Sequence, residues 1–163
     1  MPQSMCPRMR WILAISLIAV MPAHACWEQA GVRYGLNTAL LYAIARIESG
    51  LDPQAIGRNR NGSRDIGLMQ INSDWLPTLA AQGISERDLF DPCTSIHVGA
   101  WILAGKVQRL GYTWDAVGAY NAQTPALRRA YALRVWRELS AMNVASWTGS
   151  GSRSGSLLSA SAQ

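Results

Sequence analysis

The sequence predicts a mainly helical single domain of about 120 residues with one short β or irregular element. Three observations carry this. First, 49% of the 163 residues are hydrophobic and only 15% are charged, which supplies a core and excludes a chain disordered throughout. Second, Asn37 and Gly50, and then Asp91-Pro92 and Gly111, bracket apolar residues of helical spacing. Third, one apolar stretch, Asp65 to Asn72, is too short for a helix and reads as a strand or a tight irregular segment.

The elements follow in order. Trp27 to Tyr34 reads as a short helix stopped by Gly35. Asn37 caps a second helix, Thr38 to Ser49, with Gly50 as its stop. Asp52-Pro53 through Arg64 reads as loop, with a turn signal at Asn61-Gly62. Ser73 caps a helix to about Gln82, ended by Gly83. Asp91-Pro92 opens a helix to Leu110, with Ile96, Ala100, Leu103 and Val107 on one face. Thr113 caps a helix through Asn121, and Thr124-Pro125 opens the last one, to about Met142.

Both ends depart from this pattern. Arg8 and Arg10 precede a short apolar run, Trp11 to Met21, and Ala23-His24-Ala25 fits a signal-peptidase site before Cys26. The run is well short of the roughly 20 residues that span a bilayer. Residues 1–25 are therefore expected to be a cleaved export signal, with no stable membrane span afterwards. A lipoprotein signal would carry Leu three residues before Cys26, where Ala23 stands. Residues 143–163 are Ser/Gly-rich and read as a disordered tail. The expected domain is thus 26–142, and the expected compartment is the periplasm.

Loss of Arg8 and Arg10 lowers the net charge from +5 to +3. No basic stripe with interleaved aromatics remains, so a nucleic-acid partner is not indicated. Fourteen of the fifteen basic residues are Arg, which suits bidentate contact with carboxylates of an anionic polymer. Cys6 leaves with the signal, so Cys26 and Cys93 form one even pair, read as a disulfide in an exported chain. Of the two His only His97 stays, inside a helix, where it reads as a packed or surface residue rather than a base. So few His and Cys exclude most His/Cys metal scaffolds.

Three clusters carry chemistry. Glu48 falls about 40° from Ile44 and about 20° from Leu41 around the helix axis, on the apolar stripe. Desolvation there disfavours the carboxylate, and a carboxyl kept protonated suits general-acid cleavage of a glycosidic bond. Spacing alone leaves open an exposed Glu48, or one paired with Arg46. Gly67-Leu68-Met69-Gln70-Ile71-Asn72 offers the Gln70 and Asn72 amides to sugar hydroxyls, with Met69 filling an apolar gap. A buried strand with satisfied amides fits equally well. Tyr120, in Gly118-Ala119-Tyr120-Asn121-Ala122, suits a hydrogen bond to a carboxylate or sugar, or a core position with its hydroxyl at the surface.

Glu48-Ser49-Gly50, Gly67 to Asn72 and Ala119-Tyr120-Asn121-Ala122, in that order, resemble the three motifs of the soluble lytic transglycosylase domain. Asn59-Arg60-Asn61-Gly62-Ser63 and Asp91-Pro92-Cys93 stand between them, and the resemblance runs from about Cys26 to Met142. It is closer to the small exported transglycosylases of type III and type IV secretion, conjugation and pilus systems. Those also begin at a Cys-Trp like Cys26-Trp27.

The resemblance implies a goose-lysozyme-like fold, mainly helical with a small β element, and a glycan cleft. It implies Glu48 as the catalytic residue, with Ser49, Met69, Gln70, Asn72, Tyr120 and Asn121 at the substrate and Tyr120 near the Glu48 carboxyl. The implied reaction cleaves the β-1,4 bond between N-acetylmuramic acid and N-acetylglucosamine and leaves a 1,6-anhydro end. No metal or cofactor is implied. The implied partners are peptidoglycan strands and a secretion, conjugation or pilus apparatus. One departure is visible: Gln123 stands where the third motif commonly has Gly, which would strain the chain if that position needs a positive φ. A hydrolysing muramidase on the same fold and a non-enzymatic peptidoglycan-binding assembly factor are the alternatives.

Overall fold

The computed structural model describes residues 23–142. Six helices and one small sheet make up this region: α1 (Ala23–Tyr34), α2 (Thr38–Ser49), β1 (Ile56–Arg58), β2 (Arg64–Ile66), β3 (Ile71–Asn72), α3 (Leu76–Ala80), α4 (Pro92–Leu110), α5 (Trp114–Asn121) and α6 (Pro125–Ala141). Two 3₁₀ turns, Ser73–Trp75 and Glu86–Phe90, flank α3. The expected tail 143–163 lies outside the described residues, as does most of the expected signal 1–25. Helix α1 starts at Ala23, three residues before Cys26, and continues across the expected cleavage point.

Local chemistry sets the helix ends. Asn37 Oδ1 accepts from the Leu40 amide at 3.1 Å, and Gly50 closes α2 in the left-handed region. Asp91 Oδ1 accepts from the Thr94 amide at 2.8 Å, and Pro92 fills the first helical position of α4. Thr113 caps α5 through the Ala116 amide. The segment after β3 differs from expectation. Asn72, not Ser73, supplies the cap, the first turn is 3₁₀, and α3 ends at Ala80, where the Gly83 amide donates to the Ala80 carbonyl, the Ile84 amide to Leu79, and Gly83 takes a positive φ.

The larger difference is the sheet. Its order is β1-β2-β3, antiparallel throughout, with Ile56 opposite Ile66 and Asp65 opposite Asn72. The span expected to be loop from Asp52 to Arg64 therefore contains β1 and the start of β2, around the Asn61-Gly62 turn. Three-residue strands with exposed Ile56 and Arg58 offer no apolar alternation to read. The open choice over Asp65 to Asn72 resolves into both options: two strand ends joined by a turn at Gly67–Gln70.

That turn is fixed by close packing. Gly67 has φ +73°, and a Cβ there would lie 2.1 Å from the Leu89 carbonyl oxygen. The Met69 amide donates to Ser95 Oγ on α4 at 3.1 Å, and the buried Met69 side chain lies against Gly99. The core joins Leu40, Leu41 and Ile44 of α2 to Ile66 and Ile71 of the sheet and to Ile96 and Leu103 of α4, all nearly inaccessible. Cys26 and Cys93 form a disulfide with Cα atoms 5.3 Å apart, tying α1 to the first turn of α4.

Candidate active site

Glu48 sits on the last turn of α2, one turn beyond the buried Ile44. Its helix face turns toward α6, where the Tyr131 hydroxyl donates to Glu48 Oε1 at 2.5 Å. Arg46, on the other side of the helix, pairs instead with Glu138 at 2.7 Å. Burial is the main influence on the Glu48 carboxyl and lifts its pKa above the ordinary carboxyl value. The Tyr131 hydrogen bond opposes this, the Asp65 charge adds to it, and Arg134 and the Asn121 amide oppose it weakly. Tyr131 itself is nearly inaccessible, and burial together with the neighbouring Glu48 pushes its phenol well above the usual range.

Glu48 forms part of the wall of a cavity of about 580 Å³. The hairpin supplies Asn59, Arg60, Asn61, Ser63 and Asp65 to the same cavity. Gln70, Ile71 and Asn72 line its floor, and Tyr120 and Asn121 at the end of α5 close one side. Trp75 and Ile102 add the apolar surface. Polar amides around the Glu48 and Asp65 carboxyls, with an indole beside them, suit a ligand bearing hydroxyls, amides and C–H faces.

A cross-strand network stiffens the hairpin wall. Asn59 Nδ2 donates to Asp65 Oδ2 at 2.9 Å, and Asn72 Nδ2 donates to Asp65 Oδ1 at 2.8 Å. Both amides also donate to Ser63 Oγ, at 3.1 and 3.0 Å. Such a satisfied network holds its members in one arrangement.

The residues picked from sequence divide into two groups. Glu48, Gln70, Asn72, Tyr120 and Asn121 line the cavity. Ser49 and Met69 are not among its lining residues. Ser49 Oγ donates to the Leu68 carbonyl at 2.7 Å and so ties α2 to the Gly67–Gln70 turn, while Met69 is fully buried. Gln70 has φ +49°, and its Nε2 donates to the carbonyls of Gly67 at 2.8 Å and Ala55 at 3.2 Å. Those bonds hold a strained residue in the wall of the cavity. The Tyr120 hydroxyl donates to the Met69 carbonyl at 2.9 Å, and the carboxyl's direct phenol partner is Tyr131. Gln123 is not at positive φ, so the departure from the third motif carries no backbone strain. His97 lies away from the cavity, its ring edge-on to Tyr34 at 6.1 Å.

Sequence reasoning missed Tyr131, Asp65 and the hairpin amides. Tyr131 precedes the buried Val135 by four residues and Leu139 by eight, so it falls on the inner stripe of α6. A phenol on that stripe needs a buried partner, which was the available signal.

Together these features define a lysozyme-like domain with one desolvated carboxyl in an amide-lined cleft. The profile of the Transglycosylase SLT domain matches residues 25–143, and the chain belongs to that family. It is 48% identical to the invasion protein IagB of Salmonella typhimurium over 132 residues, covering 77% of this chain and 82% of that protein. It is 43% identical to protein IpgF of Shigella flexneri over 110 residues, covering 67% and 72%. Its fold is similar to that of an inactive mutant of the lytic transglycosylase Slt from Pseudomonas aeruginosa, with a TM-score of 0.58 at 22% identity. That match covers 71% of this chain and 23% of the larger one. Among the described residues, no helix is long and apolar enough to cross a membrane.

Proposed function

We propose that this chain is an exported peptidoglycan lytic transglycosylase. It cleaves the β-1,4 bond between N-acetylmuramic acid and N-acetylglucosamine and closes a 1,6-anhydro ring. The supporting observation is the Glu48 carboxyl, desolvated in a glycan-sized cleft and hydrogen-bonded by Tyr131.

In this reading the protonated Glu48 gives its proton to the leaving glycosidic oxygen. The bond from that oxygen to the muramyl C1 breaks, and the 2-acetamido group or the ring oxygen balances the charge developing at C1. The Glu48 carboxylate, held by the Tyr131 hydroxyl, then takes the proton of the C6 hydroxyl as its oxygen bonds to C1. One carboxyl serves as acid and then as base, and ends protonated for the next turn. Gln70, Asn72, Tyr120 and Asn121 position the sugars, while Ser49 and Met69 hold the turn that carries Gln70. Residues 1–25 act as the export signal. The relative IagB is named an invasion protein, and in this reading the enzyme opens the wall locally for a secretion, conjugation or pilus machine.

One observation favours a second reading, a hydrolysing muramidase. Asp65 lines the same cavity and supplies the second carboxylate of a two-carboxyl mechanism. Its two oxygens already accept the Asn59 and Asn72 amides, which ties it into the hairpin wall and supports the one-carboxyl reading. Digestion of purified sacculi separates the two. Anhydro-muropeptides are expected, and reducing muramyl ends alone would support hydrolysis.

Tyr131→Phe tests how the carboxyl is held. Activity needs protonated Glu48, so it falls as pH rises through the raised pKa. The Tyr131 hydrogen bond lowers that pKa, so Phe moves the alkaline limb to higher pH. A hydrogen bond to an ionised group contributes about 1.5–3 kcal/mol, so the acid step, in which the Glu48 carboxylate forms, slows roughly ten- to hundredfold. A pH–rate profile unchanged from wild type would refute the role of Tyr131.

A further inference from the structure

Arg60 is exposed at the tip of the hairpin, and it alone supplies a cationic side chain to the cavity that Glu48 lines, among the described residues. Its guanidinium has no ion-pair or hydrogen-bond partner among the described residues. This is notable because carboxylates stand close to it in the chain. Asp65 has both oxygens occupied by the Asn59 and Asn72 amides. Arg64, four residues on, pairs with Glu86 at 2.8 Å. Of the hairpin's charged side chains Asp65 and Arg64 are thus paired, and of Arg58 and Arg60 only Arg60 lines the cavity.

The tip is also rigid. The Gly62 amide donates to the Asn59 carbonyl at 3.1 Å, which puts Arg60 at the second position of a tight turn. The Asn59 amide donates to the Ser63 carbonyl at 2.9 Å, and Asn61 Oδ1 accepts from the Ser63 amide and hydroxyl at 3.1 and 2.8 Å. An arginine on so fixed a backbone loses less freedom on binding than one on a loose loop.

We propose that Arg60 recognises a carboxylate carried by the muramyl substituent of the glycan, and so selects peptidoglycan over neutral N-acetylglucosamine polymers. The proposal rests on the reading of this cleft as a peptidoglycan site. The sugar backbone offers only hydroxyls and acetamides, which the amides of the cleft serve. The carboxylates of this polymer lie on the peptide stem, or on the lactyl ether once the stem is removed. A planar guanidinium matches a carboxylate in a two-point contact.

The test is co-sedimentation of purified Glu48→Gln protein, with and without Arg60→Ala, against three preparations of insoluble peptidoglycan. Native sacculi carry stem carboxylates. Sacculi treated with carbodiimide and ammonia carry those groups as neutral amides. Amidase-stripped glycan carries free lactyl carboxylates. Arg60→Ala is expected to weaken binding to native sacculi about fivefold, the upper end for an exposed ion pair. On the neutralised sacculi it is expected to change nothing. A loss confined to stripped glycan would assign the contact to the lactyl carboxylate instead of the stem. An equal loss on all three preparations, no loss on any, or no binding of the parent protein would overturn the proposal. Binding is read without turnover, so failure of the catalytic reading shows separately, as wild-type protein that sediments with sacculi but releases nothing.

Discussion

Glu48→Gln is expected to lower the release of soluble muropeptides by about a thousandfold or more, while binding to sacculi persists. General acid–base catalysis by one group contributes about 10²–10⁴-fold, and in the proposed mechanism the same carboxyl serves both proton transfers. Gln keeps the size of the side chain and still accepts the Tyr131 hydroxyl, so the cleft keeps its shape. Stability separates lost chemistry from lost folding. Burial raises the Glu48 pKa in the folded chain, so the folded state holds that proton more tightly than the unfolded state. The associated stability is fully present below the unfolded pKa and is lost as pH rises through the raised one. Glu48→Gln removes that loss, so the variant melts at or above the wild-type temperature at neutral pH, and the gap closes in acid. Turnover near wild type would remove Glu48 from the mechanism.

Replacing both Cys26 and Cys93 by Ser is expected to cost about 4 kcal/mol by the chain-entropy estimate for a loop of this size. The disulfide spans a sequence separation of 67. It holds α1 against the first turn of α4. For a domain of this length the melting temperature should fall by roughly 10 °C or more. The same change should follow from reducing the wild-type protein. A melting point unchanged by both treatments would mean that packing alone holds α1, with the buried Cys26 and Trp27 sufficient.

The helical frame was legible because its signals are local. Asn37, Gly50, Asp91, Gly111 and Thr113 mark ends that capping chemistry fixes within a few residues, and α2, α4 and α5 fall between them. The sheet was not legible for the converse reason. β1 to β3 have three, three and two residues, too few to show a period, and side-chain bonds across the turns among Asn59, Ser63, Asp65 and Asn72 hold them together. The candidate site divides in the same way. Glu48 could be placed on the apolar face of its helix from spacing alone, because Leu41 and Ile44 precede it by seven and four residues. Its partner Tyr131 lies 83 residues away, and only the packing of α2 on α6 joins them. Ser49 and Met69 carry a similar lesson: a motif position can serve a site by fixing a turn beneath it.

In the proposed reaction Glu48 directs the C6 hydroxyl of the muramyl residue, not water, at the anomeric carbon. This is tested most directly by digesting purified sacculi with wild-type protein in ¹⁸O-labelled water and weighing the released muropeptides. The expected products are 1,6-anhydro ends that carry no label. Reducing muramyl ends that each carry one ¹⁸O would contradict it.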